Sequence, residues 1–392
     1  MLILNISPLY LKCGILLEKS ESLNKEIESF KEKFKYINPE KSIDYKSKIL
    51  FLFQISYFKI DDFAKSHDYE FLSKLNIIQN LSLEEKEKDE IEKILLKNKN
   101  NTLLSEPSLR NRQIKSCYYS GDLTGNIEYL IYSIFHLKCE SFGNLVQLSI
   151  TGIDYINNNF DNSFFDLPKG SINDLVIVGK GKNASNLTKD NKNKKILKNE
   201  LYPYLLTTGN QGISIYRIDS INSYKKVGYN TLGPVSFWSL LNLTGNYEDP
   251  ELALKEAIEG DNQLIDLSVG DIYGGDYGGA SLCSDLIASS FSKVSKVGDI
   301  NKIDKKDVGK ALLIFYGVTY AQVAAMVSGE EKIEKNIISG DTFNSLELMQ
   351  MIESCQDAFT GGKIKAVFND YSNYFEIIGM IVELEKAERL KL

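Results

Sequence analysis

Apolar and polar positions along this chain alternate between two rhythms. Period-two stretches read as strands and stretches of period near 3.6 read as helices. Residues 2–6 and 9–17 predict two strands around a turn at Ser7-Pro8, and ILFLFQISYF (49–58) predicts a third. Residues 20–34 alternate in charge and read as an exposed helix or linker. LEEKEKDEIEKILLK (83–97) predicts a charged helix, 98–116 a polar loop and 122–138 a further helix. LVQLSI (145–150) is a continuous apolar run, read as a buried strand ending at Thr151-Gly152. DLVIVG (174–179) reads as another strand, followed by an Asn/Lys-rich loop at 180–199. LLTTG (205–209) and ISIYRI (213–218) form a hairpin pattern. The apolar helix SFWSLLNLTG follows, then a helix punctuated by Asp249 as cap, Pro250 in its first turn and Gly260 past its end. Residues 304–329 carry an acidic start, helically spaced apolar residues and a terminal glycine. NIISG (336–340), a helix, IKAVF (364–368) and a last helix at about 374–386 complete the chain. Strands alternating with helices predict an α/β protein. Two lobes are expected, 1–144 and 145–392, and a strand hairpin opening each hints at duplication.

Length and charge narrow the classes. A chain of 392 residues exceeds one ordinary core. The formal charge of −7 gives no reason to expect nucleic acid or an anionic membrane as partner. No run reads as long enough to cross a bilayer, and the apolar N-terminus lacks the basic start of a signal peptide. The five cysteines are scattered without a CxxC pair, which points to a reduced, cytoplasmic setting. The two histidines, His67 and His136, make histidine triads and His-rich metal sites poor readings.

Candidate chemistry enters at VGDIYGGDY (269–277), a glycine pair between tyrosines and aspartates. Followed by ASSF (288–291), it resembles the eukaryotic-type (type II) pantothenate kinases. The resemblance extends through ISIYRI, YKKVGYNTLG, FWSLLNLTG, KIKAVF and NYFEIIGMIVEL, and more weakly through residues 1–160. It implies the actin-like ATPase fold, two ribonuclease-H-like lobes, and transfer of the γ-phosphoryl of Mg-ATP to the primary hydroxyl of pantothenate, the first step toward coenzyme A. ATP and Mg²⁺ are the implied cofactors. Such chemistry needs glycine turns that let backbone N–H groups reach phosphate, an acid on the hydroxyl, and Mg²⁺ to spread charge.

Each of those parts is altered here. The family's first turn, D-I-G-G-T, corresponds to Asn5-Ile6-Ser7-Pro8-Leu9, with Lys12 retained. Asn5 has no charge to offer a metal, and Pro8 has no N–H. The turn T-G-G-G-A matches Thr151-Gly152-Ile153-Asp154-Tyr155; Asp154 there would repel phosphate or, in a rearranged site, hold magnesium. The third turn corresponds to Thr208-Gly209-Asn210-Gln211-Gly212. The fourth, L-G-G-G-T-F, reads Leu232-Gly233-Pro234-Val235-Ser236-Phe237, and the adenine-side segment keeps only Gly340. The general base falls on Asp122, which could equally cap a helix. The arginine for the pantothenate carboxylate falls on Lys226, which loses bidentate geometry. Positions that reach toward a partner's pantothenate and acyl-coenzyme A pocket fall on Leu286, Ile287 and Phe359, all apolar and equally suited to a core. The resemblance therefore implies a degenerate kinase subunit paired in a heterodimer with a competent paralogue. A non-catalytic scaffold sensing acyl-coenzyme A is the alternative. A kinase with a rearranged site, using Asp122 and Asp154, is a third reading.

Overall fold

The computed structural model describes residues 2–6, 10–18, 41–45, 48–56, 117–121, 139–161, 163–167, 193–195, 200–209, 211–245, 247, 250–278, 282, 284–296, 303–340 and 346–387. The helices expected at 20–34, 83–97 and 122–138, the loop at 98–116 and the strand at 174–179 lie outside those residues, as does nearly all of the loop at 180–199. The chain divides into two compact units, Met1–Leu148 with Glu376–Leu392, and Ser149–Phe375.

The first unit is built on a sheet of β1 (Leu2–Ile6), β2 (Tyr10–Glu18), β3 (Lys41–Tyr45), β4 (Lys48–Ser56), β5 (Cys117–Gly121) and β6 (Cys139–Ser141), in the order β3-β4-β2-β1-β5-β6. β1, β2 and β4 form an antiparallel meander, while β5 and β6 continue from β1 in parallel. Alternation explains the burial: Leu50 and Leu52, two apart on β4, are both buried. A Cβ on Gly14 of β2 would lie 2.6 Å from Ile377 Cγ2 and 3.2 Å from Leu50 Cδ1. The final helix, Phe375–Lys386, therefore packs on this sheet. Expected with the second lobe, it groups with the first, because its apolar face covers strands laid down more than three hundred residues earlier.

In the second unit, β9 (Tyr204–Gly209), β10 (Ile213–Ser220) and β11 (Ser223–Asn230) form a meander. β14 (Lys335–Gly340) and β15 (Lys365–Asn369) extend it in parallel from β9. β7 (Phe164–Asp166) and β8 (Asn193–Lys195) add two antiparallel strands beyond β15. A meander whose first strand is flanked by two parallel strands thus occurs once in each unit. This is the duplicated, α/β order that ribonuclease-H-like lobes of the actin-like class require.

Helices α1 (Leu145–Asn159), α2 (Pro234–Gly245), α3 (Pro250–Glu259), α4 (Val269–Tyr273), α5 (Lys305–Glu331), α6 (Leu346–Thr360) and α7 (Phe375–Lys386) complete the described elements, with a two-stranded ribbon of β12 (Leu267–Ser268) and β13 (Ile287–Ser289). α5 is held by small residues. A Cβ on Gly317 would meet Met351 Sδ at 2.4 Å, and one on Gly309 would meet Ala257 Cβ at 3.1 Å. By length and composition this helix is apolar enough to cross a membrane, which the sequence reading did not anticipate. Ala311, Leu313, Tyr316, Tyr320, Ala321 and Ala324 on it are core residues.

Two sequence expectations are corrected. LVQLSI is not a strand but the first half of α1. A short apolar run does not distinguish a buried strand from a buried helix, and the deciding signal is Asn144, whose Oδ1 accepts from Val146 N at 3.0 Å and Gln147 N at 3.3 Å. α5 also runs past Gly329 and ends at Lys332, which adopts φ 55 and donates its N–H to Ser328 O.

Candidate functional site

In the first unit, Asn5 and Lys12 face each other across the β1–β2 ladder. Both are buried, at 4% and 2% exposure. Asn5 Nδ2 donates to Ser120 Oγ at 3.3 Å, its register partner on β5. The residues of the turn itself, 7–9, and Asp122 lie outside the described residues.

The segment matched to a second glycine turn is no turn at all. Thr151, Gly152 and Ile153 are buried inside α1. Asp154 accepts from Tyr202 Oη at 3.1 Å and from Asn158 Nδ2 at 3.1 Å. Burial, the Asp154 charge and that hydrogen bond together raise the Tyr202 phenol well above its usual range. The strand-to-helix junction, the geometry that a phosphate turn uses, lies instead at Phe142-Gly143-Asn144 between β6 and α1. Gly143 sits at φ +77, and a Cβ there would press on Leu148 Cδ2 at 2.9 Å.

In the second unit the remaining glycines converge. A Cβ on Gly233 would lie 2.4 Å from Gln211 O and 2.5 Å from Gly212 Cα. One on Gly212 would lie 2.5 Å from Asn230 O. Gly340, at φ +136, sits against Gly209, with 2.4 Å from its Cβ position to Gly209 O. The β9–β10 turn, the β11–α2 turn and the end of β14 therefore abut backbone to backbone. Their polar groups are used locally: Leu232 N donates to Asn230 Oδ1 at 2.8 Å, and Ser236 Oγ donates to Thr231 O at 3.1 Å. Pro234, the first residue of α2, has no N–H to offer.

Lys226 stands exposed on β11 with its Nζ 4.3 Å from the centre of the Tyr229 ring, a cation–π contact. Leu286 and Ile287 are half-buried beside α4, with Val269 N donating to Leu286 O at 2.8 Å. Phe359 on α6 is 43% exposed. The structure does not gather these four residues into one described cluster.

The DIYGGDY segment is a capped helix and a loop. Ser268 Oγ accepts from Asp271 N at 3.1 Å while Asp271 Oδ2 accepts from Ser268 N at 2.8 Å, a capping box. Gly274 closes the helix at φ 77. Asp271 is held below the usual carboxylate range: burial opposes this and is outweighed by Lys293 and the Ser268 donors. Tyr273 and Tyr277 stack at 4.4 Å, both largely exposed. A Cβ on Gly274, Gly275 or Gly278 would meet nothing within 4 Å. These glycines line open space, whereas those of the β-strand turns line the chain's own backbone.

The two units define a duplicated α/β protein, and within the second unit the strand-end turns meet backbone to backbone. The Fumble family matches residues 47–383, and the chain belongs to that family, the eukaryotic-type pantothenate kinases. It is 30% identical over 184 residues to pantothenate kinase 1 of Arabidopsis thaliana, covering 46% of this chain and 48% of the relative. It is 28% identical over 194 residues to the pantothenate kinase of Schizosaccharomyces pombe, 48% and 47% of the two chains. The chain thus spans about half the length of these curated relatives. Among solved structures it is similar to glucokinase of Balamuthia mandrillaris in complex with glucose, with TM-score 0.38, 11% identity and coverage of 97% and 92%. It is likewise similar to Leishmania braziliensis glucokinase, with TM-score 0.29, 10% identity and coverage of 97% and 91%.

ATP and Mg²⁺ are the cofactors of this family, and the described residues at the matched positions do not offer the groups that would hold them. The junction donors before α1 are taken by Asn144, the turn before α2 has lost one donor to proline and given another to Asn230, and Asn5 is a neutral carboxamide. None of these groups supplies either the free N–H groups or the negative charge that Mg-ATP needs. Asn144 and Asn230 were not singled out from the sequence. Asn144 directly precedes α1 and Asn230 lies four residues before α2, and those positions were the available signal.

Proposed function

We propose that this chain serves coenzyme A biosynthesis as a catalytically degenerate pantothenate kinase subunit, pairing with a competent paralogue that transfers phosphate from Mg-ATP to pantothenate. The observation that carries the reading is Asn5. It is buried and spent on Ser120 at the strand position where the resemblance requires a carboxylate. The glycines of DIYGGDY that face open space and its exposed tyrosines support an assembly role. The test is to purify the chain alone and with what it captures from its native cell. The lone chain should show no pantothenate phosphorylation, and the captured partner should carry intact D-I-G-G-T and triple-glycine turns. Turnover by the lone chain on the order of 1 s⁻¹, ordinary for a kinase, overturns the reading.

A second reading, an acyl-coenzyme A sensor without catalysis, draws on Phe359, a large apolar residue left 43% exposed. It predicts binding of acyl-coenzyme A by calorimetry with no kinase in the capture.

A further inference from the structure

We infer that the exposed face around DIYGGDY docks a protein surface that is apolar at its centre and rimmed with lysine or arginine, and that this occupant is the competent kinase chain rather than a second copy of this one. The inference rests on the proposed subunit role and names its interface. Ile272 and Tyr273 are each more than half in solvent, at 51% and 57%. Tyr277, stacked on Tyr273, and Leu282 complete an apolar patch. The patch is rigid before anything meets it. Tyr277 and Leu282 exchange both backbone hydrogen bonds, at 2.9 and 3.2 Å, and Asp276 Oδ1 accepts from Ser284 N at 2.6 Å. Lys293 Nζ holds Asp271 Oδ2 at 2.5 Å. Pre-organisation of this kind lowers the ordering cost of association. Glycine is required where φ is positive or where another group comes close. At Gly275 and Gly278 φ is not positive, and a Cβ would meet nothing within 4 Å among the described residues. The room these two glycines leave is open to a surface approaching from outside.

Charge chooses the occupant. Residues 256–292 hold seven acidic and no basic side chains. Glu256 and Asp271 are paired with lysines and Asp266 is buried. Asp276 and Asp285 are exposed and have no ion-pair partner among the described residues. Asp276 adjoins Tyr277, and the bond from Gly270 N to Ser284 O, at 2.6 Å, sets Asp285 beside α4. A two-fold contact through this face would bring those carboxylates against their own copies, and like charges oppose such a contact. A basic rim is attracted instead, most strongly in low salt.

The experiment places p-benzoylphenylalanine at Ile272 of the full chain in its native cell, crosslinks by light and maps the joined peptides by mass spectrometry. The joined peptide should come from a kinase chain with intact D-I-G-G-T and triple-glycine turns, and should carry more lysine and arginine than acid. Tyr273→Ala should weaken the purified complex at least about tenfold at any salt. Asp285→Lys should weaken it comparably in low salt and much less in high salt. A crosslink to a second copy of this chain, to no protein, or to a peptide without excess basic residues overturns the inference. So does a complex indifferent to both variants. Should either variant fail to fold, seen as a lost unfolding transition, the crosslink decides alone. A competent paralogue that is captured but joined to nothing at residue 272 keeps the subunit role and loses the docking face. A lone chain that phosphorylates pantothenate loses the subunit role, while a crosslink to a basic-rimmed kinase face would still stand.

Discussion

Asp266 shows how one side chain can oppose the fold it serves. It is fully buried, accepting from Asn262 Nδ2 at 2.6 Å and from Phe291 N at 2.8 Å, and it holds Phe291 in a left-handed conformation at φ 58. Burial raises its carboxyl above the usual range, and the Asn262, Phe291 and Lys293 contacts only partly offset this. A raised carboxyl contributes stability below its unfolded value that is lost as pH rises through the folded value. Asp266→Asn should therefore flatten the part of the Tm-versus-pH curve just above the ordinary Asp range. Asp271 has the opposite sign: its lowered carboxyl stabilises above the unfolded value, and that gain is lost as pH falls through the folded one. Asp271→Asn should remove a gain at neutral pH. Matching pH profiles for the two variants would refute the assignment. Glycines divide as sharply. Gly340→Ala places a Cβ against backbone at positive φ and should cost about 2 kcal/mol or more by denaturant unfolding. Gly275→Ala meets open space and should stay within about 0.5 kcal/mol in the isolated chain.

Element by element, the second unit was the more legible in sequence. The hairpin at 205–218 and the helices beginning near Pro234, Pro250 and Asp304 carry period and punctuation together. LVQLSI carries neither, so its helix was hidden until Asn144 was seen as its cap. Asn144→Ala should cost about 1 kcal/mol in global unfolding, and Asn144→Ser should restore most of it. α4 was missed for a different reason: a five-residue helix has no period to read. The capping box, Ser268 and Asp271 three apart, was the visible cue. Ser268→Ala should unfold the DIYGGDY segment locally, seen as faster amide exchange at 269–277 with little change in global Tm. Of the candidate site, residue types were legible through resemblance. Their adjacency was not, because Gly340 meets Gly209 only through the parallel register of β14 on β9, which no local pattern encodes.

For the whole molecule, duplication is the organising fact. Each unit pairs a meander with two parallel strands, yet the glycines of the second unit press on its own backbone. On the proposed reading, that arrangement holds the strand ends of the second unit without phosphate. Stability of the lone chain should accordingly be unchanged by nucleotide over a range that stabilises a competent relative, measured by Tm against Mg-ATP concentration. The last helix has a consequence for biogenesis. Ile377 fills the space beside Gly14, so the sheet of β1–β6 lacks part of its cover until a helix more than three hundred residues further along has left the ribosome. Synthesis order and folding order are thereby uncoupled, and a premature stop before codon 375 should expose the amino-terminal strands to protease while sparing the middle of the chain.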